Sequence, residues 1–131
     1  MLHAKATERD QQMTLQAIIT AYREQALRYG EAAERGDARK GNRAQERLLK
    51  IRREIRERGT EYVQALLRLL DDESVFVRLS AAIDALEFSP EDGQRVLEEI
   101  TKGPRGMINH EARMTLKLWR SGEFTVPWWQ K

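Results

Sequence analysis

Few residues of this 131-residue chain have the type and spacing for covalent or metal chemistry. It contains no cysteine, which removes thiol nucleophiles, disulfides, zinc fingers and iron-sulfur clusters. His3 and His110 are its two histidines, one near the N-terminus and one near an expected helix start, so no HExxH-like spacing sets two imidazoles on one face. Asp71, Asp72 and Glu73 are three consecutive acids of a kind that can hold a divalent cation through oxygen. Their position between two helical patterns points instead to helix capping and dipole complementarity. Gly103-Pro104-Arg105-Gly106 has two glycines in the manner of a phosphate loop, yet its proline lacks the amide donor such a loop uses, and it reads as a turn. The expectation is a protein that is not an enzyme, with no catalytic residue, no cofactor and no metal.

Binding chemistry is better represented. Between Asp37 and Arg58 the basic residues are Arg39, Lys40, Arg43, Arg47, Lys50, Arg52, Arg53, Arg56 and Arg58, against Asp37, Glu46, Glu54 and Glu57. The segment therefore carries +5 in a chain whose net charge is +2, and the remainder carries −3. Arg39, Arg43, Arg47 and Lys50 fall near one side of a helix, a ridge suited to phosphates or to an acidic protein surface. Glu46 with Lys50, Arg53 with Glu57, and Glu54 with Arg58 stand at i,i+4 and soften that field. No aromatic residues are interleaved to stack bases, and no helix-turn-helix pattern is present, so a protein partner is preferred over nucleic acid. Trp119, Trp128 and Trp129 offer large aromatic contacts of the kind that dominate interfaces. The last two belong to a tail, residues 123–131, that either folds back to cap the helices or contacts a partner or a second copy.

These residues must be positioned by helices. From about Thr7 to Tyr29, Leu15, Ile18, Ile19, Tyr22, Ala26 and Tyr29 recur at three and four, forming one apolar stripe. Gly30 is a plausible break, although Glu31 to Arg35 can prolong the helix. A second helix, from about Asp37 to Arg58, places Ala44, Leu48, Ile51 and Ile55 on one face and ends at Gly59. Thr60 can cap a short helix ending before Asp71, and the next runs to about Phe88. Ser89-Pro90-Glu91-Asp92 reads as a helix start, with Ser as cap and Pro at the first position. A final helix, from Met107 through Trp119, ends at Gly122. No stretch alternates with period two, so the expected class is all-α, with about six helices in one domain.

A shift of thirty residues aligns Leu66 with Val96, Leu67 with Leu97, Leu70 with Ile100, Val77 with Met107, Ala82 with Ala112, Leu86 with Leu116 and Phe88 with Leu118. Stacked antiparallel helical hairpins are the natural reading, because neither hairpin can cover its own apolar faces. Ala81, Ala82, Ala85 and Ala112 would let helices approach closely. The run LLRLLDDESVFVRLSAAIDAL, Leu66 to Leu86, resembles a HEAT repeat, and the resemblance implies that Arg78 pairs with a turn acid such as Asp72 or with a neighbour in the stack, a solvent-facing Arg78 being instead available to a ligand. From Tyr22 to Phe124, the LLDD ending, VRLSAAIDAL and the closing EARMTLKLWRSGEF together resemble the small bacterial family named domain of unknown function two-thousand-and-nineteen. That resemblance implies an N-terminal hairpin over residues 7–58 and two HEAT-like helix pairs over residues 60–122. Small bacterial proteins of this kind occur among immunity proteins of polymorphic toxin systems, so the resemblance also implies a toxin-neutralising protein acting by stoichiometric occlusion. The alternative is a nucleic-acid-associated regulator using the basic second helix.

At 40% apolar and 34% charged residues, the chain can build one modest core. Its first residues, MLHAKATERDQQM, lack an apolar signal-peptide core, and no window approaches the roughly 18 uninterrupted apolar residues of a membrane span. A cytoplasmic protein that avoids membranes is expected.

Overall fold

The computed structural model describes residues 2–123, with side chains from residue 14 onward. Six α-helices follow one another: α1 Leu2–Arg35, α2 Ala38–Arg58, α3 Thr60–Arg68, α4 Val75–Phe88, α5 Pro90–Thr101 and α6 Met107–Arg120, with a 3₁₀ turn Leu69–Asp71 after α3. There is no strand among the described residues, and the class is all-α.

α1 passes through Gly30 without breaking. This glycine is buried and answers a packing requirement, since a Cβ there would lie 2.1 Å from Cγ of Phe76 on α4. The helix ends instead at Gly36, whose φ of +70° suits glycine. Gly36 N–H donates to the Ala33 carbonyl (3.2 Å) and Asp37 N–H to that of Ala32 (2.8 Å), closing a Schellman turn. Asp37 then caps α2 by accepting the Lys40 N–H at 3.1 Å. Two residues thus reverse the chain, and α1 and α2 lie side by side as a hairpin.

At the other helix starts the capping chemistry differs from that expected. Thr60 is the first residue of α3 and Gly59 occupies its cap position without a side chain to offer. Ser89 precedes Pro90 as expected, but its hydroxyl donates to the Asp92 carboxylate (2.6 Å) and caps no backbone amide. Ser74, by contrast, accepts the Phe76 N–H at 3.2 Å and starts α4.

α4 is the central element and packs against α1, α3, α5 and α6. Ala81, Ala82 and Ala85 on it are fully buried. It meets α5 backbone to backbone, where a Cβ on Gly93 would lie 2.8 Å from the Ala82 carbonyl oxygen. The core joins Tyr22 and Ala26 of α1, Leu48 and Ile55 of α2, Leu66 of α3, and the inner faces of α4, α5 and α6. Most positions matched by the thirty-residue shift are buried in both copies. Met107 is not: it is 54% exposed where Val77 is fully buried, because it begins α6 while Val77 lies inside the contact of α4 with its neighbours.

Candidate functional site: the α1–α2 groove and the buried cluster beneath it

The two faces of α2 carry different kinds of arginine. Arg52 lies one turn beyond Leu48 and just before Ile55, which puts it on the apolar stripe and 7% exposed. It belongs to the core, so of the basic residues counted between Asp37 and Arg58 it is one that the surface does not display. Its Nε donates to Asp84 Oδ2 at 2.9 Å and its Nη2 to Ser80 Oγ at 3.3 Å. Tyr22 OH shares a hydrogen bond with Ser80 Oγ at 2.8 Å and donates a short one to Asp84 Oδ2. Asp84 Oδ1 has no hydrogen-bond partner among the described residues. One residue from α1, one from α2 and two from α4 thus form a closed polar knot inside an apolar core.

Burial pushes the Asp84 carboxyl upward, and Arg52 and Tyr22 only partly offset this. Burial, and then the Asp84 charge, raise the Tyr22 phenol well above its ordinary range, so it stays a donor. A second tie joins α1 to α6: Tyr29 OH donates to both Glu111 oxygens at 2.9 and 3.0 Å. Burial pushes Tyr29 up to about 12, helped by the Glu111 charge, and burial also raises Glu111 against the pull of Tyr29 and Arg52.

The outer face of the hairpin is a groove of about 310 Å³ between α1 and α2. Arg28 and Arg35 contribute from α1, and Lys40, Arg43 and Arg47 from α2, against two acids, Glu31 and Asp37. Arg28 is paired with Glu24 at 2.9 Å. Arg35, Lys40, Arg43 and Arg47 make no ion pair among the described residues and are exposed. Gln25 also lines the groove; it is 8% exposed, and its Oε1 is turned inward, sealed from solvent, with no hydrogen-bond partner among the described residues. One end of the groove is the first turn of α2, where the helix dipole adds positive potential.

Of the residues singled out from sequence, Arg43 and Arg47 line this groove, while Arg39 and Lys50 are exposed on α2 outside its lining. Of the three expected softening pairs, Glu54–Arg58 forms at 3.1 Å, and the others are not ion-paired among the described residues. Trp119 is half-buried and packs on the core from α6. Trp128 and Trp129 lie outside the described residues.

Of the acids of the turn before α4, Asp72 serves structure. Arg23 of α1 donates to both Asp72 carboxylate oxygens, Nε at 2.8 Å and Nη2 at 3.2 Å, and Ser74 N–H donates to Oδ2 at 2.9 Å. Burial works to raise Asp72, but the Arg23 and Ser74 hydrogen bonds and the nearby Arg23 and Arg78 charges win and hold it below its ordinary value. Arg78 also serves this turn, though not through the Asp72 carboxylate: its Nη1 donates to the backbone carbonyls of Asp72 (2.7 Å) and Glu73 (3.1 Å). Among the described residues no group of three His, Asp or Glu is arranged to hold a metal ion, and no helix is long and apolar enough to cross a membrane.

The sequence reading missed Gln25, Ser80 and Asp84. A signal existed for two of them. Ser80 and Asp84 are polar residues at i,i+4 within a helix that is otherwise apolar nearly all round, which requires a buried partner. Gln25 had no comparable signal, because glutamine on a mixed helix face is ordinarily solvated.

In comparison with known proteins, the chain is similar over 87% of its length to 94% of the protein RPA1889 from Rhodopseudomonas palustris CGA009, known from its crystal structure, with a TM-score of 0.77 and 26% sequence identity. No curated protein matches it. The family model described as Domain of unknown function (DUF2019) matches residues 11–119. With the match running from the first helix to the last, the chain belongs to the DUF2019 family.

Proposed function

We propose that this protein is a non-enzymatic binding module that engages an acidic protein partner through the outer face of the α1–α2 hairpin. The observation that supports this reading is the set of cations with no ion pair among the described residues, Arg35, Lys40, Arg43 and Arg47, on a groove whose supporting helices are tied from beneath by Arg52 and Asp84. Free surface cations steer encounter and reject basic partners, within a Debye length of about 8 Å at physiological ionic strength. A hairpin held rigid from beneath loses little freedom on binding, which favours affinity. Arg39 and Lys50 extend the field along α2, and aromatic area from Trp119, Trp128 and Trp129 supplies a second contact.

The finer form of the proposal is an immunity protein that neutralises a toxin by covering it in the cytoplasm. It rests on the family resemblance together with this surface. The test is capture from the host's lysate, nuclease-treated and untreated, by the intact chain and by a variant carrying Arg39→Glu, Arg43→Glu, Arg47→Glu and Lys50→Glu. The expected result is one stoichiometric protein held by the first and lost by the second. If that protein is a toxin silenced by an equimolar amount of this chain, the immunity form is supported. Capture that survives the four reversals overturns the assigned surface, and capture abolished by nuclease transfers the surface to nucleic acid.

A further inference from the structure

We infer that the exposed apolar row of α6, Met107, Met114 and Leu118, is the docking surface of the chain's own tail, residues 124–129, laid antiparallel to the helix with Phe124, Val126 and Trp128 turned inward and Trp129 outward. None of the three row residues lines the α1–α2 groove, so this surface stands or falls independently of that one. Of the two tail tryptophans given to a partner, only Trp129 then remains available.

Exposed apolar side chains are ordinary when they are scattered. Among the described residues the large apolar side chains that stand exposed are Met107, at 54%, and Met114, at 38%, and they are not scattered. With the half-buried Leu118 they stand at i, i+7 and i+11, within about 40° of one another around α6. Ile108, Ala112, Thr115 and Leu116 are the side chains that α6 buries, so the row is surplus to its packing on the core.

The row begins where the helix stops. Gly122, at a φ of +78°, ends α6. Its N–H donates to the Trp119 carbonyl at 3.2 Å, and the Glu123 N–H donates to that of Leu118 at 2.9 Å. This Schellman closure turns the chain and sets Glu123 beside Leu118. From Leu118 back to Met107 the helix covers about 16 Å, and extended chain covers the same distance in about five residues, which is the separation of Glu123 from Trp128. Residues 124–131 lie outside the described residues, but the sequence Phe124-Thr125-Val126-Pro127-Trp128-Trp129 suits this path. Pro127 cannot continue a helix and biases Val126 to extended backbone. The period of two in extended chain then puts Phe124, Val126 and Trp128 on one side. Phe124 falls against Leu118 and Met114, Val126 just past Met114, and Trp128 against Met107, so that thioether sulfurs meet aromatic rings. A second copy or a foreign segment has to displace a tail tethered at the end of the row, at an effective concentration on the order of millimolar.

The test is NMR of the full chain with ¹³C-methyl methionine, whose other methionines are Met1 and Met13. Cross-relaxation peaks should join the Met114 methyl to Phe124 and Val126 and the Met107 methyl to the Trp128 indole, and dilution should leave them unchanged. Trp128→Ala should abolish the Met107 peaks and shift that methyl as the ring current is lost, whereas Trp129→Ala should leave both methyls in place. Methyls with no peak to the tail overturn the inference. So do peaks that arise only between labelled and unlabelled chains in a mixed sample, which would give the row to a second copy. An effect of Trp129→Ala on Met107 equal to that of Trp128→Ala also overturns it, because the alternation of inward and outward residues would be gone.

Discussion

Arg52 and Arg47 are a little over one turn apart on the same helix, and they belong to different parts of the molecule. Arg52 is 7% exposed and holds Asp84 at 2.9 Å inside the core; Arg47 is exposed on the groove with no ion pair among the described residues. The contrast teaches that a count of basic residues along a helix overstates the field available to a partner. The stripe position decides: a cation that falls on the apolar face must be neutralised internally, and one that falls outside it stays free for recognition.

The sharpest way to break this contrast is to orphan the inner cation. Asp84→Ala leaves Arg52 charged and buried and should cost about 3–5 kcal/mol in chemical denaturation. A loss below about 1 kcal/mol would mean that the pair does not hold α2 to α4. Replacing the pair together, with Arg52→Met and Asp84→Leu, should recover much of the loss, since the penalty comes from the unmatched charge. Gly30→Ala tests the inner face of the other helix in the hairpin. It forces Phe76 aside and should cost about 1–3 kcal/mol, whereas an unchanged melting curve would show that α1 and α4 do not meet so closely.

A smaller effect should appear in the pH dependence. Asp72 is held below its ordinary value of 3.8, so the folded state binds that proton more weakly than the unfolded chain. Its stabilisation is full above the ordinary value and is lost as pH falls through the lowered one. Asp72→Asn should therefore melt below the parent at neutral pH, and the gap should close in acid. A gap that stays constant across the acid range would remove Asp72 from the account. The smallest effect on stability belongs to the outer face: Arg43→Glu with Arg47→Glu should change stability by no more than about 0.5 kcal/mol while removing partner binding. A large loss of stability there would erase the distinction between the two faces.

Helix count, class and most boundaries were legible because they follow local rules. The stripe Ile18–Tyr22–Ala26, the break at Gly59 and the stop at Gly122 need only periodicity and glycine's tolerance of positive φ. The small residues of α4 announced close packing and are fully buried. Gly30 left the end of the first helix open, because a glycine that ends a helix and one that admits a neighbouring ring look alike until Phe76 is in place. Arg43 and Arg47 were found from charge, but their joining with Arg35 across a groove was not, since those residues meet only when α1 and α2 pair.

By itself, then, the order of residues determined six helices, their apolar faces, a basic second helix and the family. Those depend on repeats of three and four residues and on motifs within one stretch of chain. Only the tertiary structure decided which arginine is neutralised and which is free, which glycine is a contact, and that Gln25 of α1 shares a groove with the cations of α2. These facts rest on pairings between residues far apart in sequence, where burial and charge are set by the neighbour that packing supplies.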